Sequence, residues 1–298
     1  MNVCGKEIRV QGRLIRIAQL EGDKYEYLDD PEATLDGLRK SATRIDLFTF
    51  LQRLPDTSPK YAYPMEWENL AVLPVSTFDH WYTQQIRFAP RGRLRQAAKK
   101  GVTAREVPFD DALIRGIYEI YNECPVRQGK RFPHYGMTLD RVRPYAGTFL
   151  DKSIFIGAFL ADKLIGFAKL TCDSSRTQAN LMHILAMVEH RDKAPANALI
   201  AQAVRSCAER GILYLVYQNF TYGKKQGDGL SHFKEVNGFQ RVDLPRYYVP
   251  LTRLGKLAFH LGLHRRLAER VPEPVAARLR ELRSAWYQHK FRLKAETD

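Results

Sequence analysis

"VEHRDKAPANALIAQAV", Val188 to Val204, leaves an apolar run, crosses a knot of charges and a proline, and enters an alanine-rich helical pattern. The periodicity predicts a helix from Asn197 to Arg210 that Gly211 stops, with Pro195 near the first helical position, where its missing N–H costs nothing. First-turn amides have no intrahelical acceptor and the helix dipole favours an anion there, so the mouth reads as a phosphate site. Arg191 and Lys193 add positive charge. Two residues oppose this reading: Ala194 lacks glycine's easy access to φ > 0, and Pro195 has no amide to donate. A plain helix start, with Asp192 offsetting Arg191 or Lys193, is the competing reading.

Working outward, the chain from Val102 follows a regular order. "VTAREVPF" reads as a strand, "DDALIRGIYEIYNE" as a helix capped by Asp110 or Asp111, and "TLDRVRPYAGTFL" as a second helix capped by Thr138. "SIFIGAFLADKLIGFAKLTCD" is two β-rich runs joined at Ala161-Asp162-Lys163, a hairpin, and "ANLMHILAMV" continues the sheet. After the helix come a strand in "ILYLVYQNF", a short helix in "LSHFKEVNGF" and a final strand in "RYYVPL". The first third is less regular. "KEIRVQGRLIRIAQL" and "KYEYLDD" read as a meander, residues 31–40 as a short helix, "RIDLFTFLQRL" and "NLAVLPV" as buried strands, and "STFDHWYTQQI" and "RGRLRQAAKKG" as helices.

The order strand, two helices, three strands, helix, strand, helix, strand over residues 102–251 resembles the GCN5-related N-acetyltransferase (GNAT) family. The family's phosphate-loop pattern Gln/Arg-x-x-Gly-x-Gly/Ala aligns with Arg191-Asp192-Lys193-Ala194-Pro195-Ala196, alanine standing in the first glycine place. "RGRLRQAAKKGVTAREV" is similar to the segment before the second acetyltransferase-like domain of Fem-type peptidoglycan aminoacyl transferases. "HYGMTLDRVRPY", "IFIGAFLADKLIGFAKL" and "GFQRVDLPRYYVPL" fit bacterial acyltransferase-like proteins of that broader group, many associated with cell-surface polysaccharide synthesis. The resemblance implies an α/β (α+β) fold with a mixed sheet flanked by helices. It divides the chain into a reduced N-terminal acetyltransferase-like half at 1–101, a fuller acyltransferase domain at 102–251 and a basic helical extension at 252–298.

It also implies chemistry. Acetyl-CoA or another acyl-CoA is the expected cofactor, held by Arg191, Asp192, Lys193, Ala194, Ala196 and Asn197. A backbone amide at the end of the fourth strand of the fold polarises the thioester carbonyl in the family, which implies the amide of Val188 or a neighbour. A base must take the amine's proton, and Glu123, His183, Glu189 and His190 are the residues of suitable type near the inferred cleft, Glu123 being the leading assignment. The family's usual tyrosine acid, four residues before the Gly-Phe that ends the last helix, is replaced by Lys234, and Tyr222 is the substitute. Lys224 and Lys225 are candidate phosphate or acceptor ligands. "YNECPVRQGKRFPHYG" falls where the family forms its acceptor site, and Arg127, Gln128, His134 and Tyr135 are its expected acceptor ligands.

Composition bounds the rest. The 298 residues carry a net charge of +14, which favours anionic partners without choosing among nucleic acid, lipid, a phosphorylated cofactor or an acidic sugar. The four cysteines, scattered without a C-x-x-C pair, indicate neither a zinc site nor a disulfide framework, so a reducing cytoplasm is expected. No segment approaches ~20 uninterrupted apolar residues, so no span is expected. The basic amphipathic tail is read as two helices packed on the domain with basic faces in water; attachment to an anionic membrane surface, at the inner face, is the rival reading. The expected function is acyl-CoA-dependent N-acylation of an amine such as an amino sugar. An aminoacyl-tRNA-dependent transferase and a non-catalytic module for an anionic ligand are the alternatives.

Overall fold

A computed structural model describes residues 1–221, 229–265 and 273–291. Eleven strands form one mixed sheet. The first five are β1 (Asn2–Val3), β2 (Lys6–Gln11), β3 (Ile17–Leu20), β4 (Leu47–Leu51) and β5 (Met65–Pro74). Between them lies α1 (Pro31–Arg39), which Asp30 caps through Ala33 N, with Pro31 at the first turn. After β5 come a short helical turn, α2 (Phe78–His80), continued by a π-helical turn, and then α3 (Phe88–Lys99).

The order expected from Val102 is present throughout: β6 (Val102–Glu106), α4 (Asp111–Asn122), α5 (Leu139–Ala146), β9 (Ser153–Leu160), β10 (Lys163–Cys172), β11 (Gln178–Ala186), α6 (Pro195–Glu209), β12 (Tyr214–Asn219), α7 (Gly229–Val236) and β13 (Gln240–Pro250). Asp110 caps α4 through Leu113 N, and Gly101 takes φ 78 after α3. The loop between α4 and α5 contains a small hairpin, β7 (Val126–Arg127) with β8 (Lys130–Arg131), that the sequence did not announce. Its two turn residues, Gln128 at φ 51 and Gly129 at φ 64, have the doubly positive geometry that matches strand twist.

Sheet order is β1-β2-β3-β4-β13-β5-β12-β11-β10-β9-β6. The last strand does not stay with its sequence neighbours: β13 pairs antiparallel with β4 on one side and with β5 on the other. β5 in turn pairs with β12, so a single hydrogen-bonded sheet runs through the chain. The largest core cluster joins α4, α6 and strands β9 to β11 through Ile117, Tyr121, Phe167, Leu170, Leu199 and Val204. A second, around Leu35, Phe48, Phe50 and Tyr247, fills the N-terminal part. All four cysteines are free thiols, Cys172 and Cys207 buried, Cys4 exposed and Cys124 between.

"KYEYLDD" is not a strand. Residues 21–30 form a strap that carries N-terminal side chains onto the C-terminal part of the sheet. Tyr25 meets Phe149 at 5.7 Å, Lys24 Nζ donates to Asn219 Oδ1 at 2.9 Å, and Tyr27 Oη accepts from Gln178 Nε2 at 2.6 Å. Glu26 accepts from Lys6, Lys152 and Ser174. The alternation of Tyr25 and Tyr27 therefore serves contacts 120 and more residues away rather than a strand ladder.

The tail also departs from the expectation. α8 (Arg253–His260) lies on β13 by its small residues, Gly255 and Ala258, while its leucines face outward. A further helix spans Glu273–Phe291. Among the described residues, no helix is long and apolar enough to cross a membrane.

Candidate active site

The sheet opens between β11 and β12. β11 and β12 run parallel and pair only from Gln178↔Tyr214 to Asn180↔Val216. Beyond that point β11 continues to Ala186 bonded to β10 alone, and β12 turns away with a register shift against β5 between Val216 and Asn219. One edge of β11 from Leu181 to Ala186 is therefore without a strand partner, and its residues from Met182 onward are half-buried. Backbone donors and acceptors on such an edge require partners, and an extended amide-bearing chain supplies them in the way an added strand does.

The end of that edge leads into Val188–Val204. Val188–Lys193 form a 3-10 turn, and Ala194, at φ 53 and ψ 42, swings the chain into α6. This is the left-handed conformation that glycine adopts freely; alanine takes it here at a cost of roughly 1–2 kcal/mol. Ala194 is buried, so packing holds the turn that its side chain disfavours. The amides of Asn197 and Ala198 both return to the Ala194 carbonyl, at 3.1 and 3.3 Å, and Pro195 has none. Ala196 is thus left as the first-turn donor without an intrahelical acceptor.

α3 braces the loop from outside. Gln96 Nε2 donates to the Asp192 carbonyl at 2.8 Å, and Lys100 Nζ lies 2.7 Å from the Asp192 carboxylate, which Lys193 also approaches at 3.2 Å. Hydrogen bonds from Lys100 and Lys193 hold the Asp192 carboxyl below its ordinary range. The acid expected among the cofactor ligands is therefore already engaged by two lysines. Net charge at the mouth stays positive through Arg191, Lys193 and Lys100. The backbone shape and the charge fit a diphosphate; the missing Pro195 amide makes the cradle one donor poorer than an all-glycine loop.

Glu123 and Val188 are brought together, in a way that sets their expected roles against each other. At the end of α4, Glu123 Oε2 accepts from Val188 N at 2.8 Å and Oε1 from Glu189 N at 2.8 Å. Arg127 completes the arrangement: its Nη2 donates to Glu123 Oε2 at 3.0 Å and to Ile120 O at 2.9 Å, and its Nη1 to Ala186 O at 2.6 Å. The guanidinium also lies over Phe132, 4.8 Å from the ring centroid. Arg127, expected to meet an acceptor, is spent on tying α4 to the end of β11. The Val188 amide is satisfied by a carboxylate, and reaches a carbonyl oxygen only if Glu123 withdraws.

The other acceptor residues separate. Gln128 is exposed at the hairpin turn, and Tyr135 is exposed nearby in a loop that Asn122 pins through Gly136 N at 2.8 Å and Met137 O at 3.1 Å. His134 turns inward, stacked on Tyr121 with centroids 4.6 Å apart, and 4.9 Å from Tyr145. His183, on the unpaired stretch of β11, lies 5.6 Å from Tyr145 and 6.3 Å from His134. Burial, then the positive charge of Lys169 and the neighbouring His134, lower His183 to about 4; burial also lowers His134. Both imidazoles are neutral at neutral pH. His190 is buried with neither ring nitrogen hydrogen-bonded.

Lys169 escaped the sequence reading. It is fully buried opposite His183, with Nζ donating to Ala146 O at 2.8 Å and to the carbonyl and hydroxyl of Thr148, and burial lowers it to about 8. The signal was present: a single charge inside the apolar run "LIGFAKLTC". Lys234, in the place of the usual tyrosine, is also buried, bonded to Asn219 O and 4.7 Å from the Tyr217 ring centroid where β12 ends. Tyr222, Lys224 and Lys225 lie outside the described residues. Among those described, no group of three or more His, Cys, Asp or Glu could hold a metal ion.

No family model and no curated protein matches the sequence. Solved structures match its fold. L-PGS from Bacillus licheniformis superposes with a TM-score of 0.56 at 12% identity, covering 83% of this chain and 81% of that one. The C-terminal domain (DUF2156) of an Agrobacterium fabrum protein gives 0.55 at 15%, covering 85% and 82%. FemX gives 0.55 at 11%, covering 80% and 83%. The chain shares the fold of these structures. Its mixed sheet flanked by helices, expected from the element order, is thereby shown. At these identities the likeness speaks of architecture alone.

Proposed function

We propose that the protein transfers an acyl group from acyl-CoA to an amine at the parting of β11 and β12. The observation that carries this reading is the continuity of the unpaired β11 edge with the left-handed turn at Ala194 and the mouth of α6. Arg191, Lys193 and the Ala196 amide are the groups for the diphosphate, with Asn197 beside them; the β11 edge takes the amides of the pantetheine arm. A bound acyl-CoA supplies the activated thioester. Glu123 and Arg127 are positioning residues that hold the end of β11 in register with α4, and the Val188 amide is the oxyanion donor once Glu123 lets it go. His183 and His134, neutral and beside the opening, are better placed than Glu123 to take a proton, because both Glu123 oxygens are occupied. Gln128 and Tyr135 stand at the acceptor side, and their exposed polar groups suit a polyhydroxylated amine such as an amino sugar of a cell-surface polysaccharide. In this scheme residues 102–251 are the catalytic part and residues 1–101 a reduced companion half.

Calorimetric titration with acetyl-CoA and longer acyl-CoAs tests the donor. Heat with at least one of them, weakened about tenfold when Arg191 and Lys193 are both changed to Ala, is the expected result, a loss corresponding to about 1.4 kcal/mol. Absence of heat with every acyl-CoA overturns it. Aminoacyl-tRNA is the second donor class, because the basic end of α3 at Lys99 and Lys100 stands beside the same loop; gel-shift competition between charged and uncharged tRNA tests it. Failure of both leaves a binding module on a transferase fold.

A further inference from the structure

We propose that α8 and the turn after it, as far as Arg265, form a docking surface for an anionic lipid bilayer, independently of the transfer chemistry. An amphipathic helix on a soluble domain normally turns its large apolar side chains inward. α8 does the reverse. A Cβ on Gly255 would come within 1.7 Å of the Asp46 carbonyl oxygen, so only glycine allows this approach to the sheet, and Ala258 beside it is completely buried. Leu254, Leu257 and Leu261, which fall within an arc of roughly 60° at about 100° per residue, are exposed by 37%, 53% and 60%, and Leu263 follows at 41%.

This outward face is held in place. Thr252 caps the helix, accepting from Gly255 N at 3.1 Å while donating to Asp46 Oδ1 at 2.8 Å. Phe259 stacks on His264 with centroids 4.8 Å apart, and Glu66 accepts from Arg265 Nε at 2.8 Å with His264 Nε2 2.9 Å away. Rotating the leucines inward would break every one of these contacts.

The charge beside the leucines selects the occupant. Arg253 and Lys256 are exposed and form no ion pair with a described residue, and Arg265 projects from the same segment. No Asp or Glu occurs from Leu244 to Ala268. Leucines flanked by cations, with no acid among them, match a surface that is apolar below an anionic layer, where long basic side chains reach the headgroups. The last helix also exposes Val275, Leu279, Leu282 and Trp286 beside Arg278, Arg283 and Lys290, with Glu281 as the acid among them.

Sedimentation of the full chain with vesicles of phosphatidylcholine, with and without phosphatidylglycerol, tests this. Binding to the anionic vesicles only, weakened by salt, is expected. Leu257→Gln with Leu261→Gln, both solvent-facing, lowers it about tenfold with the thermal midpoint unchanged, and Arg253→Gln with Lys256→Gln lowers it and makes its salt dependence shallower. Acyl-CoA binding stays unchanged in both variants. Failure to bind anionic vesicles overturns the proposal, as does binding indifferent to the leucine changes. Light scattering that shows a dimer dissociated by those changes also overturns it and gives the face to a second copy of the chain.

Discussion

The sheet contains two seams that differ in one respect: the N-terminal seam is closed and the C-terminal one is open. Between β4 and β5 the last strand of the chain is inserted, pairing from Gln240↔Val72 to Tyr247↔Met65 on one side and from Arg246↔Leu51 to Pro250↔Leu47 on the other, so that both neighbours meet it at Arg246 and Tyr247. Between β11 and β12 nothing is inserted, and pairing ends at Asn180↔Val216. The closed seam is bridged by that strand and holds buried charge at Arg246, Asp23 and Glu68. The open one leaves a polar edge beside neutral histidines and a basic loop. A chain that spends its final strand on closing one seam leaves the other for a ligand, which is why the proposed chemistry belongs to the C-terminal seam.

The sharpest way to break this contrast is to weaken the closed seam. Arg246, on β13, is buried between Asp23 and Glu68, 2.8 Å from Asp23 Oδ2, with Thr49 alongside. Burial opposes the charge, but the two carboxylates outweigh it and raise the arginine's pKa; burial likewise pushes Glu68 up, and Arg246 with Lys24 more than offsets it. Arg246→Leu leaves Asp23 without its partner and Glu68 with Lys24 alone, and a loss of about 3–5 kcal/mol is expected in urea unfolding. If the seams act separately, acyl-CoA binding by the folded fraction remains. A variant of near-native stability would show that the network does not lock β13.

The open seam answers to acid. His183 is held at about 4 by burial, Lys169 and His134, against an unfolded value near 6.5. A histidine with a depressed folded value contributes stability that is full above 6.5 and is lost as pH falls toward 4, because the unfolded chain takes up the proton first. Between those limits the loss from this group is on the order of 2–3 kcal/mol, and His183→Asn should flatten that part of the profile. Thermal unfolding scanned across the interval checks it. An unchanged slope in the variant would place the titration elsewhere.

Much of the open seam was legible in the sequence, and the reason is local. The turn at Ala161, the caps at Asp110 and Gly101 and the periodicity after Pro195 each act within a few residues, so element order could be read directly. The closed seam was not. Placing β13 between β4 and β5 depends on a register with strands more than half the chain away, for which "RYYVPL" carries no signal. The strap at 21–30 misled for a related reason, since its alternating tyrosines imitate a strand while packing on Phe149 and Gln178. At the site, residue types were legible but their partners were not: nothing in the spacing of Glu123 and Val188 says that the carboxylate holds the amide. α8 misled through its pattern, because leucines at helical spacing predict a buried face and only Gly255 against Asp46 reverses it.

The smallest expected effect bears on the loop at the mouth of α6. Ala194→Gly relieves the left-handed strain, a gain of roughly 1–2 kcal/mol, and loses roughly 0.5–1 kcal/mol to the greater freedom of glycine in the unfolded chain. It also removes a buried methyl, at about 0.8 kcal/mol. These terms nearly cancel, so stability should change by less than about 1 kcal/mol in either direction. The informative readout is affinity. If packing of the buried alanine already imposes the turn at φ 53, glycine adds nothing to the shape and acyl-CoA binding should stay within about twofold. A large gain with glycine would mean that the loop samples other conformations, and that the open seam, unlike the closed one, is completed only when its ligand arrives.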